Sequence, residues 1–139
     1  MFINQLSLFI ENREGRLEHV LDILKEEKIN IISLSLADSS DFGLLRMIVS
    51  DSEKGKNALK AKGFSAMLTP VLAVKLSHQV GQIQVLLSEI CSAGINIEYT
   101  YALATGNDDA SIVIKAADMD KAVEVLEKTG VELISAKEL

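Results

Sequence analysis

The sequence predicts an α+β fold in which a βαββαβ unit occurs twice. Three observations carry this reading: an internal repeat, hydrophobic periodicity that switches between strand and helix in the same order in both halves, and the lack of a flexible linker between them. Sliding the chain by 66 positions brings Gly15 onto Gly81, Ile29-Asn30-Ile31 onto Ile95-Asn96-Ile97, Leu6 onto Leu72, Leu21 onto Leu87 and Ile48 onto Ile114. Beyond that point the shift becomes 67, which aligns Lys54 with Lys121, Leu59 with Leu126 and Gly63 with Gly130. One extra residue late in the second copy accounts for the change.

The elements follow in order. Leu6, Leu8 and Ile10 alternate along residues 5–10, the period of a strand with one buried face. Leu17, Val20, Leu21 and Leu24 fall at the i, i+3, i+4, i+7 spacing of a helix packed on a sheet, and Ile83, Leu86, Leu87 and Ile90 repeat it. Strands rich in β-branched residues are predicted at 30–37 and 96–104, turns at Asp38-Ser39-Ser40-Asp41 and at Thr105-Gly106-Asn107-Asp108-Asp109, and further strands at 43–49 and 110–116. Met119, Ala122, Val123 and Leu126 share one face of a second helix in copy two. Its counterpart at 52–62 carries Gly55 and little apolar surface, and is the least marked element. Short strands at 65–69 and 131–136 complete the ferredoxin-like (split βαβ) plan in each copy.

From Phe64 to Ser77 the chain is nearly continuous strand-like sequence, interrupted at Thr69-Pro70, where a proline without an N–H marks the expected break between units. Residues 1–69 and 70–139 are thus expected to be the two domains. A unit of that size buries only about 60 % of its unfolded surface. The two are expected to pack side by side as a joint antiparallel eight-stranded sheet with helices on one face. In the strand at 30–37, strict alternation sets Ile29 and Ile31 on one side and Ile32, Leu34 and Leu36 on the other. An apolar open face of that kind predicts a homodimer that covers it.

With 48 % hydrophobic residues and 24 % charged ones among 139, the chain can build a core and is not disordered. A net charge of −6 and the near absence of aromatic residues (two Tyr, four Phe, no Trp) argue against nucleic acid as a partner. Apolar runs such as Val71-Leu72-Ala73-Val74 are too short to span a bilayer, and the N-terminus has no readable signal peptide, so a cytoplasmic protein without a membrane partner is expected. One cysteine and two histidines leave no metal site or other cofactor expected. Cys91, beside Ile90, is expected in the core, and His19, off the buried stripe, on the surface. Asp108-Asp109 are expected to be a solvated turn, and Arg46 to lie on a solvent face or in an interface.

Chemistry is best placed in the turn that leads from first strand to first helix. It reads Glu11-Asn12-Arg13-Glu14-Gly15-Arg16-Leu17 in copy one and Ser77-His78-Gln79-Val80-Gly81-Gln82-Ile83 in copy two. Glycine there lets another backbone or a ligand come close. The first helical amides have no partner within the helix and, with the helix dipole, suit a carboxylate or phosphate. Asn12 and His78 hold equivalent positions and can each hydrogen-bond a small polar ligand. A plain turn glycine explains the same residues without a ligand. Asn30 and Asn96, each between two isoleucines after the first helix, suit helix termination, with Lys28 and Gly94 at the caps.

Together these residues resemble the ACT domain, a small regulatory module attached to amino-acid biosynthetic enzymes. The likeness rests on Glu11 to Leu17, on Ile29-Asn30-Ile31 closing the helix and on Ser33-Leu34-Ser35 in the strand, and it covers nearly the whole chain as two tandem copies without a catalytic domain. Glu14 and Val80 stand where family members commonly have proline. The resemblance implies sites where two ACT units meet, each holding a free amino acid or similar zwitterion by its carboxylate on helix-start amides. One site would join Asn12, Arg13, Glu14, Gly15, Arg16 and Leu17 to Asn96 and Ile97. Its twin would join His78, Gln79, Val80, Gly81, Gln82 and Ile83 to Asn30 and Ile31.

The expected function is therefore that of a non-catalytic amino-acid sensor. The rival is a regulatory subunit that acts mainly by contact with a separate biosynthetic enzyme, as the small subunits of acetohydroxyacid synthase do. An acylphosphatase-like enzyme on the same plan would use Arg13 and Asn30, but the acylphosphatase loop sequence is absent. No paired catalytic carboxylates or Cys-His dyad support an enzyme.

Overall fold

The computed structural model describes residues 2–77, 79–104 and 110–139. The elements run β1 (Ile3–Glu11), α1 (Arg16–Glu26), β2 (Ile31–Ser39), β3 (Phe42–Val49), α2 (Ser52–Ala61), β4 (Ala66–Leu76), α3 (Gln82–Ser92), β5 (Ile97–Ala102), β6 (Ala110–Ala116), α4 (Met119–Thr129) and β7 (Glu132–Leu133), followed by a 3-10 turn at Ala136–Glu138. The chain divides into two compact units, Asn4–Thr69 and Pro70–Leu139 with Met1–Ile3. In the first unit the strands lie in the order β4-β1-β3-β2, and in the second β7-β4-β6-β5. Both orders are those of the ferredoxin-like plan.

Each unit has its own core. Leu6, Leu8 and Ile10 of β1 meet Val20, Ile23 and Leu24 of α1, Leu45 and Met47 of β3 and Leu59 of α2. Leu72, Val74 and Leu76 of β4 meet Leu86 and Ile90 of α3, Ile112 and Ile114 of β6 and Leu126 of α4. The helices cover the sheet face that these alternating residues present.

Three sequence expectations change. Seven strands are described where eight were expected, because β4 runs unbroken through Thr69-Pro70. Proline's fixed φ suits an extended chain, and the paired run Leu72–Leu76 against Ile114–Ala110 begins beyond it, so no bond of that ladder is lost. The last strand, expected over 131–136, is only Glu132–Leu133; a capping box between Ser135 and Glu138 turns the chain into the 3-10 segment. Third, β2 is not apolar on both faces. Its register shifts between Ile31 and Ser33, a bulge that puts an extra residue in one strand. Ile31 packs on the helix-covered core, and beyond the bulge Leu34 and Leu36 oppose Met47 and Leu45, which belong to that same core. Ser33, Ser35 and Ala37 take the other face, so the argument for a dimer through an apolar open face loses its premise. The second unit repeats the bulge between Ile97 and Tyr99.

The weakly marked helix α2 forms because Asp51 caps it, its carboxylate accepting from Lys54 N–H at 3.1 Å. Gly55 is buried in it, and a Cβ there would meet Leu6 Cδ2 at 3.1 Å. What reads as a helix-weakening residue is the surface by which the helix comes close to β1.

Both first helices end alike: Ile29 N–H donates to Leu24 O at 2.9 Å and Ile95 N–H to Ile90 O at 3.3 Å. The residue before each isoleucine is left-handed, Lys28 at φ 59° and Gly94 at 77°. A side chain at such a φ costs ~1–2 kcal/mol, part of which glycine regains as lost chain entropy. Lys28→Gly is expected to stabilise the chain by ~0.5–1 kcal/mol, read as a higher urea midpoint at unchanged slope; a lower midpoint would contradict this account of the cap.

Candidate functional site

At the mouth of each first helix the backbone makes the same turn. Gly15 (φ 80°) and Gly81 (φ 88°) are left-handed N-caps, and neither helix has a side-chain cap. Arg13 N–H donates to Glu11 O at 2.9 Å, and Gln79 N–H to Ser77 O at 2.8 Å, a matching bond in each loop. His19 N–H and Val85 N–H then close the first helical bonds onto Gly15 O and Gly81 O, both at 3.0 Å. The amides within that first turn are left facing outward without an intrahelical acceptor. Helices α2 and α4 differ: Asp51 and Asp118 supply carboxylates to Lys54 N–H and Lys121 N–H, each at 3.1 Å. The two helix starts that open with glycine carry no side-chain acceptor; their first amides, Arg16 N–H and Gln82 N–H, reach back to Arg13 O at 3.4 Å and Gln79 O at 3.3 Å.

Space lies in front of both glycines. An added Cβ would find no atom within 4 Å at either one. A hollow of ≈ 760 Å³ is lined by Arg13, Glu14, Gly15, Arg16 and His19 in the first unit. One of ≈ 850 Å³ in the second runs from Gln79, Gly81, Gln82 and Ile83 along α3 past Gln84, Leu87 and Ser88 to Cys91 and Ser92.

The two rims differ in charge. In the first, Glu11 binds both arginines: its Oε1 accepts from Arg16 Nη2 at 2.9 Å, and its Oε2 lies 2.9 Å from Arg13 Nε. The Arg16 guanidinium lies 5.8 Å from the Phe64 ring centroid, and His19 meets the same ring edge-on at 5.4 Å. Arg16 Nε is buried without an acceptor. In the second unit the corresponding positions are Ser77, Gln79, Gln82 and Val85, none of them charged.

Of the residues expected at the first site, Arg13, Glu14, Gly15 and Arg16 come together. Asn12 is tied to the end of β3's hairpin, its N–H donating to Asp41 O at 3.0 Å, and Leu17 is half-buried against the core. In the second, Gln79, Gly81, Gln82 and Ile83 come together, and Val80 projects into solvent. His78 lies outside the described residues, as do Asp108 and Asp109. Asn30 and Ile31 do not line the hollow of their own unit, nor Asn96 and Ile97 that of theirs. Each asparagine carbonyl instead accepts a backbone N–H at 2.9 Å, from Ser50 and Ala117 respectively, which joins the helix exit to the far end of a strand.

Sequence reasoning missed His19 and the outer residues of α3. The signal was present as helical spacing, since Ile83, Leu87 and Cys91 fall at i, i+4 and i+8. Cys91 in particular is exposed, not a core residue: one position on from the fully buried Ile90, a helix has turned by about a quarter-circle and more. His19 is exposed, as its place off the stripe implies. Arg46 lies between Ser7 and Ser35 on the face of the sheet away from the helices and is half-buried.

A family profile described as ACT domain pair matches residues 1–139. The crystal structure of protein BT0572 from Bacteroides thetaiotaomicron is similar, with 39 % identity, a TM-score of 0.93 and coverage of 99 % of this chain and 95 % of that one. The regulatory subunit of aspartate kinase from Thermus thermophilus, in its ligand-free form, shares the fold with 18 % identity and a TM-score of 0.65, over 90 % of this chain and 91 % of that one. The corresponding subunit from Thermus flavus gives 20 % identity and a TM-score of 0.63, over 90 % of both chains. No curated protein matches. Among the described residues, no helix is long and apolar enough to cross a membrane.

The charged rim makes one testable statement. The hydrogen bond from Arg16 holds the Glu11 carboxyl below its ordinary value of 4.5, with the charges of Arg13 and Arg16 acting in the same direction and desolvation opposing them. A carboxylate whose pKa is lower folded than unfolded adds stability above the unfolded value and loses it as pH falls through the folded one. Glu11→Gln is therefore expected to lower the urea midpoint at neutral pH, with the difference from the parent chain vanishing on the acid side of 4.5 and shrinking in high salt. A difference that persists in acid would show that packing, not charge, sets it.

Proposed function

The chain belongs to the family of ACT domain pairs, and from that membership we propose that it is a non-catalytic regulatory protein of the cytoplasm, a homodimer that senses a free amino acid. Residues 1–69 and 70–139 are the two ACT modules of this reading.

One observation carries it. At the same place in both repeats, a left-handed glycine opens a helix that no side chain caps, and a hollow of ≈ 760 or ≈ 850 Å³ stands before it. A zwitterion's carboxylate suits the outward amides after Gly15 or Gly81, where the helix dipole favours negative charge. Arg13, Glu14, Arg16 and Leu17 frame the ligand in the first module, with Asn12 at the turn. Gln79, Gln82 and Ile83 frame it in the second, and His78 and Val80 of the same turn belong to the proposed site. Asn30 and Ile31, or Asn96 and Ile97, are assigned to the amino group, through side-chain amide and strand carbonyls. A ligand held in this way shifts the balance between conformations by as much as its affinities for them differ. None of this requires a cofactor or a reacting side chain.

The alternative, a regulatory subunit of a separate biosynthetic enzyme, is favoured by an exposed apolar pair. Phe9 and Phe42 are 55 % and 50 % exposed and lie on one face of neighbouring strands, since Phe9 opposes Leu44 and Phe42 opposes Glu11. Capture of one stoichiometric catalytic chain with the tagged protein, lost in Phe9→Ser, would favour this reading.

Calorimetric titration of the full chain with each of the twenty amino acids is expected to give saturable heat for at least one, and a rise in melting temperature with the same compound. Gly81→Ala places a methyl group where the carboxylate would sit and is expected to weaken binding at the second module tenfold or more; Gly15→Ala should do so at the first. No heat and no thermal shift from any of the twenty would overturn the sensor.

A further inference from the structure

The two hollows stand on the same backbone, yet their linings are opposite in chemistry. Around Gly15 the first is lined by Arg13, Glu14, Arg16 and His19. Among the described residues that line the second, from Gln79 to Ser92, none is charged. The repeat supplies a control. At the shift of 66, Glu18, Asp22, Lys25 and Glu26 of α1 correspond to Gln84, Ser88, Cys91 and Ser92 of α3, and all four of the latter line the second hollow. Glu89 is the one charge that α3 keeps, and it lies outside that hollow, in another with Val85 and Lys128. Apolar groups hold part of the vacated surface: Ile83 is 47 % exposed, and Leu87 and Cys91 follow it at steps of one turn. Loss of charge from an exposed strip lowers solubility, and apolar surface gathered in a hollow marks a place where a ligand lies.

We propose that the two modules differ in what they take: the second binds a neutral amino acid with an apolar side chain of leucine size or larger, and the first does not bind this ligand. Its carboxylate meets the amides of Ile83 and Gln84, which have no acceptor within the helix. Its side chain then lies along α3. Leu87 is one turn, about 6 Å, beyond Ile83, a distance that leucine, isoleucine, methionine, phenylalanine and tryptophan span and that glycine, alanine and serine do not. Each methylene covered there strengthens binding about fourfold. A charged side chain would give up water and find no opposite charge in the lining. The first hollow reverses both effects. No leucine or isoleucine lines it, and Glu11 already pairs with Arg13 and Arg16 at its rim. Leu87 thus sets the favoured length, and Ser88, where α1 has Asp22, keeps a charge away from the side chain.

The inference rests on the amino-acid sensor proposed above, and the experiment separates the two. The full-length chain is titrated calorimetrically with each of the twenty amino acids, and the reaction of Cys91, the chain's one thiol, with DTNB is followed with and without the tightest of them. Leucine, isoleucine, methionine, phenylalanine or tryptophan is expected to bind tightest, with a stoichiometry of one per chain and at least tenfold more tightly than glycine, aspartate or lysine. At saturation it is expected to slow the Cys91 reaction at least threefold, because that thiol is exposed at the far end of the same hollow. Ser88→Glu is expected to weaken this ligand at least tenfold and to strengthen lysine; should the variant misfold, the thiol rate alone decides. Any other of the twenty as the tightest ligand, a second equal site, an unchanged thiol rate, or a folded Ser88→Glu that binds as the parent chain does overturns the assignment and leaves the sensor standing. No heat from any of the twenty overturns the sensor, and this inference with it.

Discussion

To pass from a strand into a helix over four or five residues, the backbone at positions 15 and 81 enters the left-handed region, with φ of 80° and 88°. Only glycine does so without strain, and glycine has no side chain with which to cap the helix it opens. The open space before the turn, the uncapped amides and the hollow lined by the next helical residues all descend from that constraint. Helices α2 and α4 start from extended aspartates that satisfy their own first turns, and so offer an anion less.

The duplication kept this backbone and changed what stands on it. Loop bonds, left-handed helix exits, strand bulges and aspartate caps recur at matching positions in both units. The rims of the hollows do not match. One gathers two arginines, a glutamate and a histidine, with Arg16 and His19 against the Phe64 ring; the other is built of glutamine, serine, cysteine and aliphatic groups. In the first, Glu11 pairs with both arginines, so an incoming anion competes with a carboxylate of the protein itself. In the second, recognition falls to backbone amides, amide side chains and shape.

The same divergence marks the sheet edges. Where β5 is short and bears a charge, β2 is long, uncharged along most of its length and capped by exposed leucines. One scaffold thus presents two unlike faces to its surroundings, and the differences lie in side chains that the core does not constrain.

Element order, the two-fold repetition and the positions of Gly15, Gly81, Asn30 and Asn96 were legible in the sequence, because periodicity and a demand for positive φ are local properties that each segment carries with it. Pairing was not. That Leu34 and Leu36 share the side of Ile31 depends on a bulge defined against β3, and that β4 is one strand depends on where its ladder with β6 begins. Gly55 weakens a helix by propensity and is explained only by the nearness of Leu6. Cys91 follows a buried residue in sequence yet lies outside, at a hollow begun more than two turns earlier by Gly81 and Gln82. In each case the deciding neighbour is distant along the chain, and only the tertiary structure brings it into contact.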